Sequence, residues 1–193
     1  MGKLLYDAIC FAVKAHAGAT RKGSGVPYIM HPMEALAIAA GLTDDEEILA
    51  AAVLHDTLED TDTSPMQLNE RFGSRVLEIV QEETEDKRKD IPAENSWRIR
   101  KEEALQKSEA ASDAGLIVAI ADKLSNMRSM QRDHEALGEA LWQRFNNHDP
   151  AQHAWYYGSL ARIFESSARL KGTQAQIEYT MRVKAVFGDL AGL

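Results

Sequence analysis

A single cysteine in 193 residues excludes two kinds of stabilisation. Cys10 has no partner for an internal disulfide, and the chain cannot supply the thiolates that closed structural zinc sites commonly use. Apolar neighbours at helical spacing make a buried, unreactive thiol the expectation for Cys10. Long hydrophobic runs are missing too, so nothing reaches the length needed to span a bilayer. The opening stretch MGKLLYDAICFAVKAH is too interrupted by charge to serve as a signal peptide. These absences lead us to expect a cytoplasmic protein without a membrane partner. An excess of positive charge is also lacking: the formal net charge is −8, which argues against a nucleic-acid groove built from clustered Lys and Arg. It does not argue against a small anionic substrate, which responds to the local field.

What is present suits one medium domain able to bury a core without staples. Acids cluster at Asp44–Glu47 and between Glu82 and Asp86; bases gather at Arg21-Lys22, Lys87-Arg88-Lys89 and from Lys123 to Arg128. No run alternates as a strand does, and helical periodicity dominates. An amphipathic helix over 3–17 carries Leu4, Leu5, Ile9, Ala12 and Val13 on one side. A glycine-rich basic loop, GATRKGSGVPY, separates it from a helix opened by His31-Pro32 and closed at Gly41. Thr43 with the acids after it predicts a capped start for the next helix, which carries LHDTLED (54–60). Ser64-Pro65 and Ser74 start two short helices, ending at Gly73 and Val80. A charged loop follows at 85–92, and further helices fit 93–110, 114–131, 134–146, 150–171 and 174–190. The fold class expected is all-α. Neither a repeat nor a linker divides the chain, so 1–193 reads as one domain, with its motifs within 15–130 and additional packing helices over 133–193.

The chemistry concentrates in LHDTLED, where His55, Asp56, Glu59 and Asp60 follow the apolar run Ile48–Leu54. Charged groups at the edge of a core are costly unless paired or bound to a metal. His31, His55, Asp56 and Asp122 together suit a divalent ion with open coordination positions. Taken alone, His31 would be an ordinary first-turn residue, and for Asp122, inside LIVAIAD, a buried salt bridge to Arg or Lys is the competing reading. Glu59 and Asp60 lie four residues after His55 and Asp56; on a continuing helix they share their face and could orient a water and move protons. A solvated acidic turn is the alternative, and fits Asp62 better. Arg21 offers a stacking plane or a phosphate fork and Lys22 a point charge, though such loops are usually just solvated. Asn126 and Ser129 share a helical stripe with Asp122. His16, His134, His148 and His153 are expected to be scattered surface residues, and Trp155-Tyr156-Tyr157 a piece of core.

Four segments taken in order, AHAGATRKGSGVPYIMHP (15–32), AAVLHDTLEDTDT (51–63), FGSRVLEIVQEETEDK (72–87) and IVAIADKLSNMRSM (117–130), resemble HD-domain phosphohydrolases of the RelA/SpoT hydrolase type. The likeness extends to the small stand-alone group that includes the metazoan SpoT homologue, and covers about residues 3–132. It implies a helical HD-domain fold. It further implies a divalent metal, normally Mn2+, on His31, His55, Asp56 and Asp122, with Glu59 and Asp60 as the water-activating acids. By the same likeness Arg21 and Lys22 hold a nucleotide base, and Asn126 and Ser129 contact the nucleoside. The implied reaction is removal of 3′-pyrophosphate from guanosine 3′,5′-bis(diphosphate), ppGpp, in the setting of a stringent response. Ala19 stands where a glutamine is common, Ser129 where a threonine is, and the loop after Lys87 differs, so substrate choice stays open. Phosphatase action on other nucleotides such as NADPH is the alternative within the class, and a non-catalytic nucleotide sensor the alternative outside it. The expected partner is a small nucleotide, with a homo-oligomer as an open option.

Overall fold

The segment from Gly115 to Asp122 is buried almost without interruption, and a helix that is apolar all round must lie inside the molecule. This is α8 (Asp113–Leu137), capped by the Ser112 side chain, which accepts from the Gly115 amide. The computed structural model describes residues 2–88 and 90–193; Lys89, part of an expected basic cluster, and Met1 lie outside the described residues. Around α8 pack α2 (Met30–Ala40), α3 (Glu46–Leu54), α6 (Ser74–Glu83), α7 (Ala93–Ala110) and α10 (Gln174–Phe187). α1 (Lys3–Ala15) lies on α3, α5 (Pro65–Phe72) on α6, and α9 (Pro150–Ser166) on α7 and α10. A one-turn α4 (Thr57–Asp60) and 3-10 turns at Gly138–Arg144 and Gly188–Ala191 complete the helices. The described residues contain no strand, only an isolated antiparallel bridge between Thr20 and Pro27. The fold is the all-α one expected, around a single apolar core.

α3 owes its depth to alanine. Ala50, Ala51 and Ala52 are fully buried, and their small side chains let α1, α2 and α6 approach its backbone closely. Its N-cap is Asp45, not the expected Thr43: the Asp45 carboxylate accepts from the Glu47 amide and is held there by Arg75, while Thr43 Oγ1 accepts from the Asp45 amide. The helix also stops at Leu54 where continuation was expected. The backbone stays right-handed through His55 and Asp56, but Asp56 flattens to ψ −5° before α4 begins, with Thr57 Oγ1 donating to the Leu54 carbonyl at 2.7 Å.

Further along, the helices expected at 114–131 and 134–146 are not separate. No breaker interrupts the sequence before Gly138, so α8 runs on to Leu137; Gly138 then takes φ +55° and starts a 3-10 turn. α9 ends at Ser166 rather than 171, because Ser167 is extended. Gly158 has a packing reason: a Cβ there would lie 2.4 Å from the Ala191 carbonyl oxygen, so glycine lets the C-terminal turn rest on α9. Cys10 is half-buried rather than buried. His16 and His153, expected at the surface, are buried; His153 sits among Trp97, Trp142 and Phe145. Tyr156 belongs to the core as expected.

Candidate functional site

α2 starts at the end of the basic loop, α3 ends at the centre of the molecule, and α8 passes behind both. Their junction brings together His31, His55, Asp56 and Asp122, which are 90 or so residues apart in sequence at the extremes. His31 Nε2 lies 3.0 Å from Asp122 Oδ1 and 3.4 Å from Asp56 Oδ2; His55 Nε2 lies 3.1 Å from Asp56 Oδ2 and 3.6 Å from Asp122 Oδ1. The two Nε2 atoms are 3.2 Å apart. His31, His55 and Asp122 are each no more than 5% exposed.

The opposite nitrogen of each ring fixes what these atoms can be. His55 Nδ1 is 2.8 Å from the Ala52 carbonyl, which can only accept, so Nδ1 carries the proton. His31 Nδ1 is 2.8 Å from Ser125 Oγ, whose own hydroxyl donates to Glu34 Oε2 at 2.8 Å; His31 Nδ1 therefore donates to Ser125. In the neutral rings both Nε2 lone pairs then point at each other and at two carboxylates, an arrangement that requires positive charge at its centre. The same field acts on His55 itself: burial opposes an imidazolium, but Asp56 and Asp122 outweigh it and hold the pKa well above the usual histidine value. Burial likewise opposes charge on Asp56 and Asp122, yet the imidazoles, and for Asp122 first Lys123, keep both pKa values well below the ordinary range. Two imidazole nitrogens and two carboxylates, each ring anchored by a hydrogen bond on its far side, form a donor set that fits a divalent ion.

Glu59 and Asp60 project from α4 beside this cluster. Glu59 Oε1 accepts from the Glu85 amide at 2.6 Å, and its other oxygen is 3.5 Å from Lys87 Nζ. Burial raises the Glu59 pKa to about 7, with the Glu85 amide pulling the other way. Asp60 pairs with Lys87 through one oxygen and accepts from Tyr28 Oη at 2.7 Å through the other. Tyr28 Oη is equally 2.7 Å from Asp56 Oδ2, so the tyrosine bridges the acid and the cluster.

Of the expected nucleotide-contacting residues, two reach the cluster's edge. Asn126 donates to Asp122 Oδ1 at 2.6 Å and accepts from Arg21 at 2.8 Å, which draws the basic loop toward the centre. Lys22 turns outward to Asn146 at 3.0 Å, and Ser129 Oγ accepts from Arg132 at 3.1 Å. Sequence reasoning missed Tyr28, Lys87, Ser125 and Lys123. Lys123 is half-buried, pairs with Asp122 and Glu83, and lines a cavity of about 420 Å³ with Glu85, Arg100 and Tyr156. Its signal was its place next to Asp122; Tyr28 gave none beyond its place in a turn.

The HD domain family matches residues 8–150. The human guanosine-3′,5′-bis(diphosphate) 3′-pyrophosphohydrolase MESH1 is 39% identical over 132 residues, which make up 66% of this chain and 70% of that protein. The GTP pyrophosphokinase rsh of Brucella ovis is 32% identical over 127 residues, covering 66% of this chain but 17% of that longer one. A solved structure described as "A metazoan ortholog of SpoT hydrolyzes ppGpp and plays a role in starvation responses" superposes with a TM-score of 0.72 at 23% identity, over 95% of this chain and 96% of its own, and bears on the fold. With the family match spanning most of the chain and centred on the His-Asp cluster, the chain belongs to the HD-domain family.

Proposed function

We propose that this protein is a metal-dependent hydrolase that removes the 3′-diphosphate of guanosine 3′,5′-bis(diphosphate) as pyrophosphate and leaves GDP. The observation that carries this reading is the convergence of His31, His55, Asp56 and Asp122 with Glu59 and Asp60 at their side. The name of the human relative supplies the substrate. In this reading the four residues hold one divalent ion, preferentially Mn2+, as the resemblance suggests. Such an ion supplies Lewis-acid polarisation of a phosphate oxygen and of water. The residues do the rest. Glu59, whose pKa lies near neutrality, takes the proton of the attacking water, and Asp60 orients that water. The water oxygen bonds to the phosphorus attached at the 3′ oxygen, the phosphorus–3′-oxygen bond breaks, and the 3′ oxygen takes up a proton. Arg21, Lys22, Asn126 and Ser129 hold the nucleoside outside this shell.

The reading includes a single domain over 1–193, a cytoplasmic setting and a small nucleotide as partner. No described helix is long and apolar enough to cross a membrane. Metal analysis of the purified protein, followed by a pyrophosphate- and phosphate-release screen, tests the proposal. The screen compares guanosine tetraphosphate with NADPH and 3′-phosphorylated nucleotides. Preferred turnover of guanosine tetraphosphate with Mn2+ is expected. Faster turnover of NADPH would reassign the substrate, and no turnover of any of them would leave a nucleotide sensor.

A further inference from the structure

Tyr28 sits where three parts of the site meet. Its hydroxyl is 2.7 Å from Asp56 Oδ2 and 2.7 Å from Asp60 Oδ2. Its ring stacks on buried His16 at 4.9 Å, meets His31 edge-on at 6.1 Å, and lies 5.7 Å from the Arg21 guanidinium. The backbone holds it there: the Tyr28 amide donates to Ala19, and the Thr20–Pro27 bridge closes the loop behind it. A phenol has one proton to give, so this hydroxyl satisfies one carboxylate at a time while keeping the other within reach.

From this geometry we infer that Tyr28 is a positioning residue: its hydroxyl sets Asp56 and Asp60 relative to one another, and its ring couples them to the Arg21 loop. The inference rests on the proposed hydrolase reading for its kinetic part only. Asp56 Oδ2 is shared between the two imidazoles and the phenol, so Tyr28 helps to fix its direction. Asp60, held by Lys87 on its other oxygen, brings its Oδ2 to the same phenol oxygen that touches Asp56 Oδ2. Partners of this kind commonly change metal affinity or activity by about 10–100-fold when removed.

Two variants separate the hydroxyl from the ring. Tyr28→Phe keeps the stacking on His16 and Arg21 and removes the hydroxyl that Asp56 and Asp60 share; Tyr28→Leu removes both ring and hydroxyl. Calorimetry with Mn2+ on chelator-stripped protein reads the cluster without any turnover. Tyr28→Phe is expected to weaken Mn2+ binding and, at saturating Mn2+, to lower kcat by about 10–100-fold with KM little changed. Tyr28→Leu should also raise KM, because Arg21 loses its platform. If the hydroxyl acts through Asp60, adding Tyr28→Phe to Asp60→Asn should cost little more in kcat than Asp60→Asn alone. Mn2+ binding and kcat of Tyr28→Phe equal to the wild type would overturn the inference, as would full additivity of the double variant. Should the wild type turn over no guanosine tetraphosphate, the hydrolase reading fails while the Mn2+ titration still decides whether Tyr28 orients Asp56.

Discussion

Glu59 has the surroundings of a proton acceptor working near neutrality, since burial lifts its pKa to about 7 and the Glu85 amide keeps one oxygen fixed. As the base it must be ionised, so kcat/KM should rise with pH and level off above the inflection. A dication beside it favours the ionised form, which places that inflection at or below about 7. A pH profile of Glu59→Gln should lose the inflection and fall by about 10²–10⁴-fold at the plateau, with Mn2+ still bound. A wild-type-like profile in that variant would remove Glu59 from the mechanism. Lys123 makes a different kind of contribution. Its half-buried ammonium is the near neighbour of Asp122 and Glu83, so Lys123→Met keeps the stem but removes the cation these two carboxylates share. Breaking a buried pair in this way costs about 3–5 kcal/mol. Urea unfolding of the chelated protein should show it, and an unchanged midpoint would mean that the pair contributes nothing net. Residues of the first kind were legible in the sequence because His-Asp and Glu-Asp one turn apart are chemically unusual at the end of an apolar helix. Tyr28 was not, because its hydroxyl meets Asp56 and Asp60, 28 and 32 positions away, and Lys123 showed only its place beside Asp122, not its pairing with Glu83.

The elements explain why the cluster holds its shape. His31 is oriented by Ser125, Ser125 by Glu34, Glu34 by Arg128, and Arg128 by Glu178 on α10. A chain of hydrogen bonds thus runs from the cluster through α2 and α8 to the last long helix, which the resemblance did not cover. Sequence periodicity located these helices well, since each has an apolar stripe, but it placed their ends poorly. The Thr43 and Asp45 cap choice was decided by Arg75, 30 residues from Asp45, and the join of two expected helices into α8 by the lack of any breaker before Gly138. Because Glu34 takes the Ser125 hydroxyl's hydrogen bond and so leaves Ser125 to accept from His31 Nδ1, Glu34→Ala should let the His31 ring change tautomer. Mn2+ affinity should fall by about 10–100-fold in calorimetry, and Glu178→Ala should produce a smaller loss in the same direction. Equal affinity in Glu34→Ala would show that Ser125 alone fixes the ring. At the other face, Arg21 reaches the cluster through Asn126 and Tyr28. Arg21→Ala should therefore raise KM with kcat changed much less, and the effect should shrink at high salt as attraction to a polyanion is screened.

At the scale of the whole molecule, the cluster is both the proposed site and a stress in the fold. Two imidazoles and two carboxylates from α2, α8 and the turn between α3 and α4 converge at its centre, with imidazole nitrogens 3.2 Å apart and both carboxyl pKa values held well below the ordinary range. In the unfolded chain these groups separate into water, so an ion held by all four binds the folded state and not the unfolded one. Such binding stabilises by mass action, about 2.7 kcal/mol at a free ion concentration 100 times the Kd. Mn2+ added to chelator-stripped protein should therefore raise Tm by several degrees, increasing with the logarithm of its concentration once the site is saturated. Asp122→Ala should abolish the increase, because it removes the ligand contributed by the central helix. It should also leave Lys123 with Glu83 as its remaining partner, so the stripped variant need not be much less stable than the stripped wild type. Differential scanning calorimetry across a Mn2+ series decides the matter. A Tm that is the same with and without Mn2+ in the wild type would mean that the four groups do not bind the ion together, and the metal-dependent reading would fall with it.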